Sequence, residues 1–170
     1  MVRCVSPLYI LLLFLPLFGC GSSANVAPKP KLNIGLLPFE ARAGIQPGEA
    51  ESVGDLFSAA LQKTGRFVVV ERQQLTAVLK EQGFQATQED NAGMARAGKV
   101  LAIRKIVSGS LGKLGSSYVF HIKMIDVETS SVDLALSQPY DDDLDEIADD
   151  FIPEIVNQIV QAVDAAPSRK

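Results

Sequence analysis

The apolar positions change period within residues 65–79 (GRFVVVERQQLTAVL). Phe67, Val68, Val69 and Val70 are aromatic or β-branched and follow a turn glycine, which predicts a strand buried on both faces. Leu75, Val78 and Leu79 then recur at i, i+3 and i+4, the period of a helix lying on that sheet. Glu71, Arg72, Gln73 and Gln74 occupy the change of period, at the strand's carboxyl end. Open α/β folds often place functional groups there, and a surface turn has to lie there in any case. These four residues are the candidate partner or subunit contact.

The same reading extends along the chain. Residues 32–39 predict a buried strand, with Pro38 near its end where a lost donor is tolerable. Residues 41–49 hold two glycines and Pro47 and predict a loop. From Glu49, the positions Val53, Leu56, Phe57, Ala60 and Leu61 predict a helix. Glu49, Glu51 and Asp55 suit its amino end, Lys63 its carboxyl end, and Gly65 its termination. Met94, Ala95, Ala97, Gly98, Leu101 and Ala102 predict a weaker helix whose small side chains allow close packing. Gly93 and Gly98 read as packing or helix-end glycines, and no phosphate-loop pattern accompanies them. Residues 106–111 and 118–127 predict a hairpin joined by residues 112–117, with a third strand over 132–137 after a turn at 128–131. From Leu144 to Val163 an amphipathic pattern follows, which Pro153 is expected to split into two helices. Its apolar face is expected to pack on the sheet, with an oligomer or partner surface as the other reading.

Composition narrows the function. Over 170 residues the net charge is −4 and the pI near 5.0, which argues against nucleic acid, because phosphate neutralisation needs clustered Lys and Arg. Residues 141–150 hold seven carboxylates. They lack the spacing of a calcium loop and read better as a helix start enriched in acid, so no metal is expected. Chemistry is also sparse. His121, the only histidine, falls mid-strand and reads as a sheet-face residue. The serines at 108, 110, 116 and 117 have no base signature nearby and no Gly-x-Ser-x-Gly elbow. Glu40, Glu71 and Asp126 are separated carboxylates that could pair in space for acid–base work. No cofactor and no small-molecule substrate is expected, and the expected role is binding or assembly rather than catalysis.

The amino terminus predicts location. Arg3 and the apolar run over residues 5–18, about 14 residues long, have the proportions of a signal peptide and fall short of a bilayer span. Leu17-Phe18-Gly19-Cys20 resembles a bacterial lipobox, which implies cleavage after residue 19 and acylation of Cys20. Gly21, rather than Asp, follows the cysteine, and the resemblance then implies outer-membrane sorting with the domain in the periplasm. Both cysteines, Cys4 and Cys20, lie in this region, leaving no internal disulfide for the mature core. The expected division is a signal peptide over 1–19, lipidated cysteine and flexible tether over 20–31, a domain over 32–164 and a tail over 165–170. The tether reaches roughly 35–40 Å when extended.

Residues 67–75 (FVVVERQQL), with Leu79 and Glu81, closely resemble the curli production assembly/transport family of bacterial lipoproteins. The lipobox, the strand at 32–39, the glycine-bearing strand at 106–111 and residues 125–129 (IDVET) fit in register. The resemblance implies a mixed-sheet α/β sandwich similar to the amino-terminal domain of the Tol translocation protein, here with a carboxyl-terminal amphipathic helix. It also implies envelope proteins as partners, and self-association in some members. The family includes an oligomeric secretion channel and activators of peptidoglycan synthases. The channel formers extend two long hairpins per subunit, for which the turns at 112–117 and 128–131 leave no room. The activators use a long tether, unlike residues 20–31. A lipid-anchored adaptor is therefore the expected role, with synthase activator and channel subunit as alternatives.

Overall fold

The computed structural model describes residues 31–70, 72–81 and 91–165. The chain runs β1 (Leu32–Leu36), β2 (Glu40–Ala41), α1 (Pro47–Lys63), β3 (Phe67–Val70), α2 (Arg72–Glu81) and α3 (Asn91–Val100). Then come β4 (Lys105–Leu114), β5 (Ser117–Asp126), β6 (Val132–Tyr140), a 3₁₀ turn (Leu144–Glu146) and α4 (Phe151–Ala165). The strands form one mixed sheet in the order β3-β1-β4-β5-β6, with β2 also paired to β4. β1 is parallel to β3 and β4, while β4, β5 and β6 form an antiparallel meander. The expected α/β class, mixed sheet and carboxyl-terminal amphipathic helix are all present.

Two apolar layers hold the helices to the sheet. On one face Phe57 and Leu61 of α1 and Ile155, Val156 and Ile159 of α4 pack with Ile34, Val107, Phe120 and Met124. On the other, Leu75 and Leu79 of α2 and Met94 and Ala97 of α3 meet Ile106, Ile125 and Val127. Small residues make the second layer close: a Cβ added to Gly98 would lie 2.6 Å from Val127 Cγ2. Gly98 is thus a packing glycine. α1 opens with the Gln46 amide donating to Glu49 Oε2 over 2.7 Å, a capping box that satisfies an otherwise orphaned donor. It ends at Gly65, whose φ of +67° suits a residue without a Cβ.

Several boundaries differ from the sequence expectation, each for a physical reason. β3 is an edge strand, so it is not buried on both faces: Phe67 is covered but Val68 is 47% exposed. Pro47 lies inside α1 rather than in a loop, because the first helical turn needs no amide donor there. The hairpin strands extend through the expected loop to pair Leu114 with Ser117, leaving a two-residue turn at Gly115 and Ser116. β6 continues past Ser137 to Tyr140, since Pro139 sits on an open edge where its missing donor breaks no ladder bond. Pro153 does not split the last segment: it occupies the first turn of α4, and the break falls earlier, after the 3₁₀ turn. There Phe151 stacks on Phe120 and Tyr140 at centroid distances of 4.6 and 5.1 Å, which anchors the helix start to the sheet.

Candidate functional site

The strand–helix corner is where the sequence pointed first. Arg72 opens α2, and Gln73 and Gln74 are exposed on its first turn. Leu75 follows, fully buried, and fixes the helix to the sheet. Glu71 and Cys20 lie outside the described residues.

Of the separated carboxylates, Glu40 and Asp126 do not converge. Asp126 ends β5 opposite Lys105, whereas Glu40 pairs with Ser110, five residues further along β4. Asp126 is engaged otherwise. Its Oδ2 accepts from Lys105 Nζ over 2.7 Å. Its Oδ1 accepts from the amides of Glu128 and Thr129 at 2.8 and 2.9 Å. Asp133 of β6 is a second partner of Lys105. Burial alone would push the Asp126 carboxyl up; the Lys105 contact and the two turn amides outweigh it and hold the group at about 2. Lys105 and Asp126 are 5% and 9% exposed, so the pair is a buried clasp between β4, β5 and β6. Its geometry organises the turn and offers no free acid or base to a substrate.

A different surface emerges on the sheet face opposite α1 and α4. α2 and α3 cover only the end of that face near Ile106 and Ile125. Beyond them the ladder sets Ser110, His121 and Ser137 side by side, and Ser108, Lys123 and Ala135 in the next row. Arg42, just after β2, donates from Nε to Ser110 Oγ over 2.8 Å. Arg42, His121, Lys123, Ala135 and Ser137 line an open groove of about 420 Å³. His121 is a sheet-face residue, as its alternation implied, and it is exposed, with no described helix packed over it. The polar alternation at 121 and 123 was visible in the sequence. Arg42 was not, because only the β2–β4 pairing brings it across.

A family model described as "Curli production assembly/transport component CsgG" matches residues 22–118, more than half of the chain. The chain belongs to this family. No curated protein matches the sequence. Among solved structures, the chain is similar to the LpoB C-terminal domain from Salmonella enterica, with TM-score 0.52 and 14% identity, covering 64% of this chain and 82% of that one. It is also similar to lipoprotein GNA1162 from Neisseria meningitidis, with TM-score 0.53 and 8% identity over 80% and 99% of the two chains. A PelC dodecamer from Paraburkholderia phytofirmans gives TM-score 0.50 and 11% identity over 74% and 86%. At these identities the likeness is one of fold. The CsgG family match ends at Tyr118, near the start of β5, so His121, Lys123 and Ser137 lie beyond it.

Proposed function

We propose that this chain is a lipoprotein anchored to the outer membrane through acylated Cys20, with residues 1–19 as signal peptide and 20–31 as tether. Its domain faces the periplasm and acts as an envelope assembly or adaptor module through protein contacts, without catalysis and without forming a pore itself. The observation that carries the reading is the economy of the meander. β4 and β5 are joined by two residues, and β5 and β6 by residues 127–131. A membrane-crossing hairpin needs about 9–11 further residues per strand. Among the described residues, no helix is long and apolar enough to cross a membrane, which accords with attachment through lipid. The Lys105–Asp126 clasp supports the non-catalytic part, since that pair of buried charges is used in holding strands. The exposed Gln73 and Gln74, with Glu71 and Arg72, are proposed as part of the partner or subunit contact.

Fractionation tests the anchor: Cys20→Ala is expected to be lost from the outer-membrane fraction, and a variant still pelleting with outer membranes overturns it. A pull-down of the anchored protein with its envelope partners tests the adaptor role. Ion conduction by detergent-extracted protein in planar bilayers would establish the channel alternative instead. A second reading, activation of a peptidoglycan synthase, is favoured by domain size, since the chain covers 82% of the LpoB C-terminal domain, and disfavoured by the short tether. Stimulation of a purified bifunctional synthase would decide for it.

A further inference from the structure

We propose that the groove on the open face of β4–β6 is a docking site for an acidic segment, residues 141–150 of a second copy of this chain. The inference rests on geometry and charge alone and does not depend on the adaptor reading.

The groove is built to hold acceptors. Arg42 is held over the sheet by its bond to Ser110 and keeps a half-exposed guanidinium. Lys123 is positioned by donating to Asn91 Oδ1 over 3.0 Å. His121 and Ser137 add exposed polar groups between them. Among the described residues that line the groove none is a carboxylate, and Arg42 makes a long ion pair with Glu40 at 4.0 Å.

The complementary surface is on the same chain. Asp141, Asp142, Asp143, Asp145, Glu146, Asp149 and Asp150 are exposed, and among the described residues none of them makes an ion pair. Their field reaches Tyr140, whose phenol is pushed up by desolvation and then by Asp142, Glu146, Asp150 and Asp143. Placing so many like charges side by side is unfavourable unless an opposite charge approaches. The chain's own groove is out of reach: residues 141–150 leave the end of β6 and lead into α4, which covers the opposite face. A second copy has no such constraint.

The test uses the full chain in detergent, followed by sedimentation velocity with light scattering. Wild type is expected to self-associate at roughly 50 mM salt and at least about ten-fold more weakly at roughly 500 mM. The groove variant Arg42→Glu with His121→Glu, and the acid variant Asp142→Lys with Asp145→Lys and Asp149→Lys, are each expected to lose association. Mixed in equal amounts they are expected to regain it, since each then meets an opposite charge. Ser137→Glu, on the exposed edge strand, reads the same groove should the Arg42 change disturb folding, which circular dichroism reports. Association unchanged in these variants, a mixture that fails to associate, or a wild type that stays monomeric at low salt would each overturn the proposal. So would a monomeric wild type that captures a free peptide of residues 141–150.

Discussion

Lys105 Nζ donates to Asp126 Oδ2 over 2.7 Å, joining the first residue of β4 to the last residue of β5. The contact is almost dry, and Asp133 closes it from β6. Removing the cation strands two carboxylates in a poorly solvated site. Lys105→Met, which keeps the stem, is expected to cost about 3–5 kcal/mol. Urea unfolding measures it, and a loss under about 1 kcal/mol would show that water already compensates the pair.

Acid should dissolve the same clasp. The Asp126 carboxyl is held at about 2, below its ordinary 3.8, so between these values the unfolded chain binds more protons than the folded one. Its contribution is therefore complete above about pH 4 and disappears as pH falls towards 2. Wild type should lose stability over that window, by on the order of 2 kcal/mol from this group. Asp126→Asn, compared at the same pH values, should show a shallower slope. Equal slopes would place the titration elsewhere.

The contact of Gly98 with Val127 predicts a clash that helix propensity cannot offset. Gly98→Ala adds a Cβ 2.6 Å from Val127 Cγ2 and 3.0 Å from Ile106 Cδ1. Overpacking of this kind costs about 1–3 kcal/mol, against a helical gain of roughly 1 kcal/mol. Val127→Ala in the same chain should recover part of the loss by making room. Thermal unfolding of the single and double variants checks the coupling.

Two glycines at opposite ends of α1 should respond in opposite directions. Gly48→Ala meets no atom within 4 Å and should stabilise by about 0.4–1 kcal/mol, through a less mobile unfolded chain. Gly65→Ala also has space, but at φ +67° it forces a side chain into the left-handed region and should cost about 1 kcal/mol. Midpoint shifts of the same sign would contradict this.

The sequence made the fold class and most elements legible because period and composition agree along much of the chain. Leu75 and Leu79 on α2, Phe57 and Leu61 on α1, and the alternation of Phe120, Ile122 and Met124 all face apolar layers as their spacing implies. Boundaries were less legible where pairing outweighs local preference. Lys113 and Leu114 look like loop residues, yet they complete a ladder whose length is set by the partner strand. Val68 looks buried, but strand order places β3 at an edge, and order is a long-range property. The groove was hardest to see. Arg42, Ser110, His121 and Ser137 come from four separate segments, and only the register aligns them. Asp126 had been a candidate acid; its meeting with Lys105 depends on two strand ends that lie far apart in the chain.

The position of residues 141–150 gives the molecule an electrical direction. β6 runs away from the end of the sheet where Lys105 lies and delivers seven carboxylates at the other. At the Lys105 end, Arg66 and Arg104 pair with Asp164 and Glu128, while Lys31, Lys63 and Lys99 stay exposed. Among the described residues, exposed carboxylates thus crowd one end of the strands and exposed lysines the other, despite a modest net charge of −4. Beside an anionic surface such a body feels a torque that turns its negative end outward, and within about 8 Å at physiological salt that torque orients it before any contact forms.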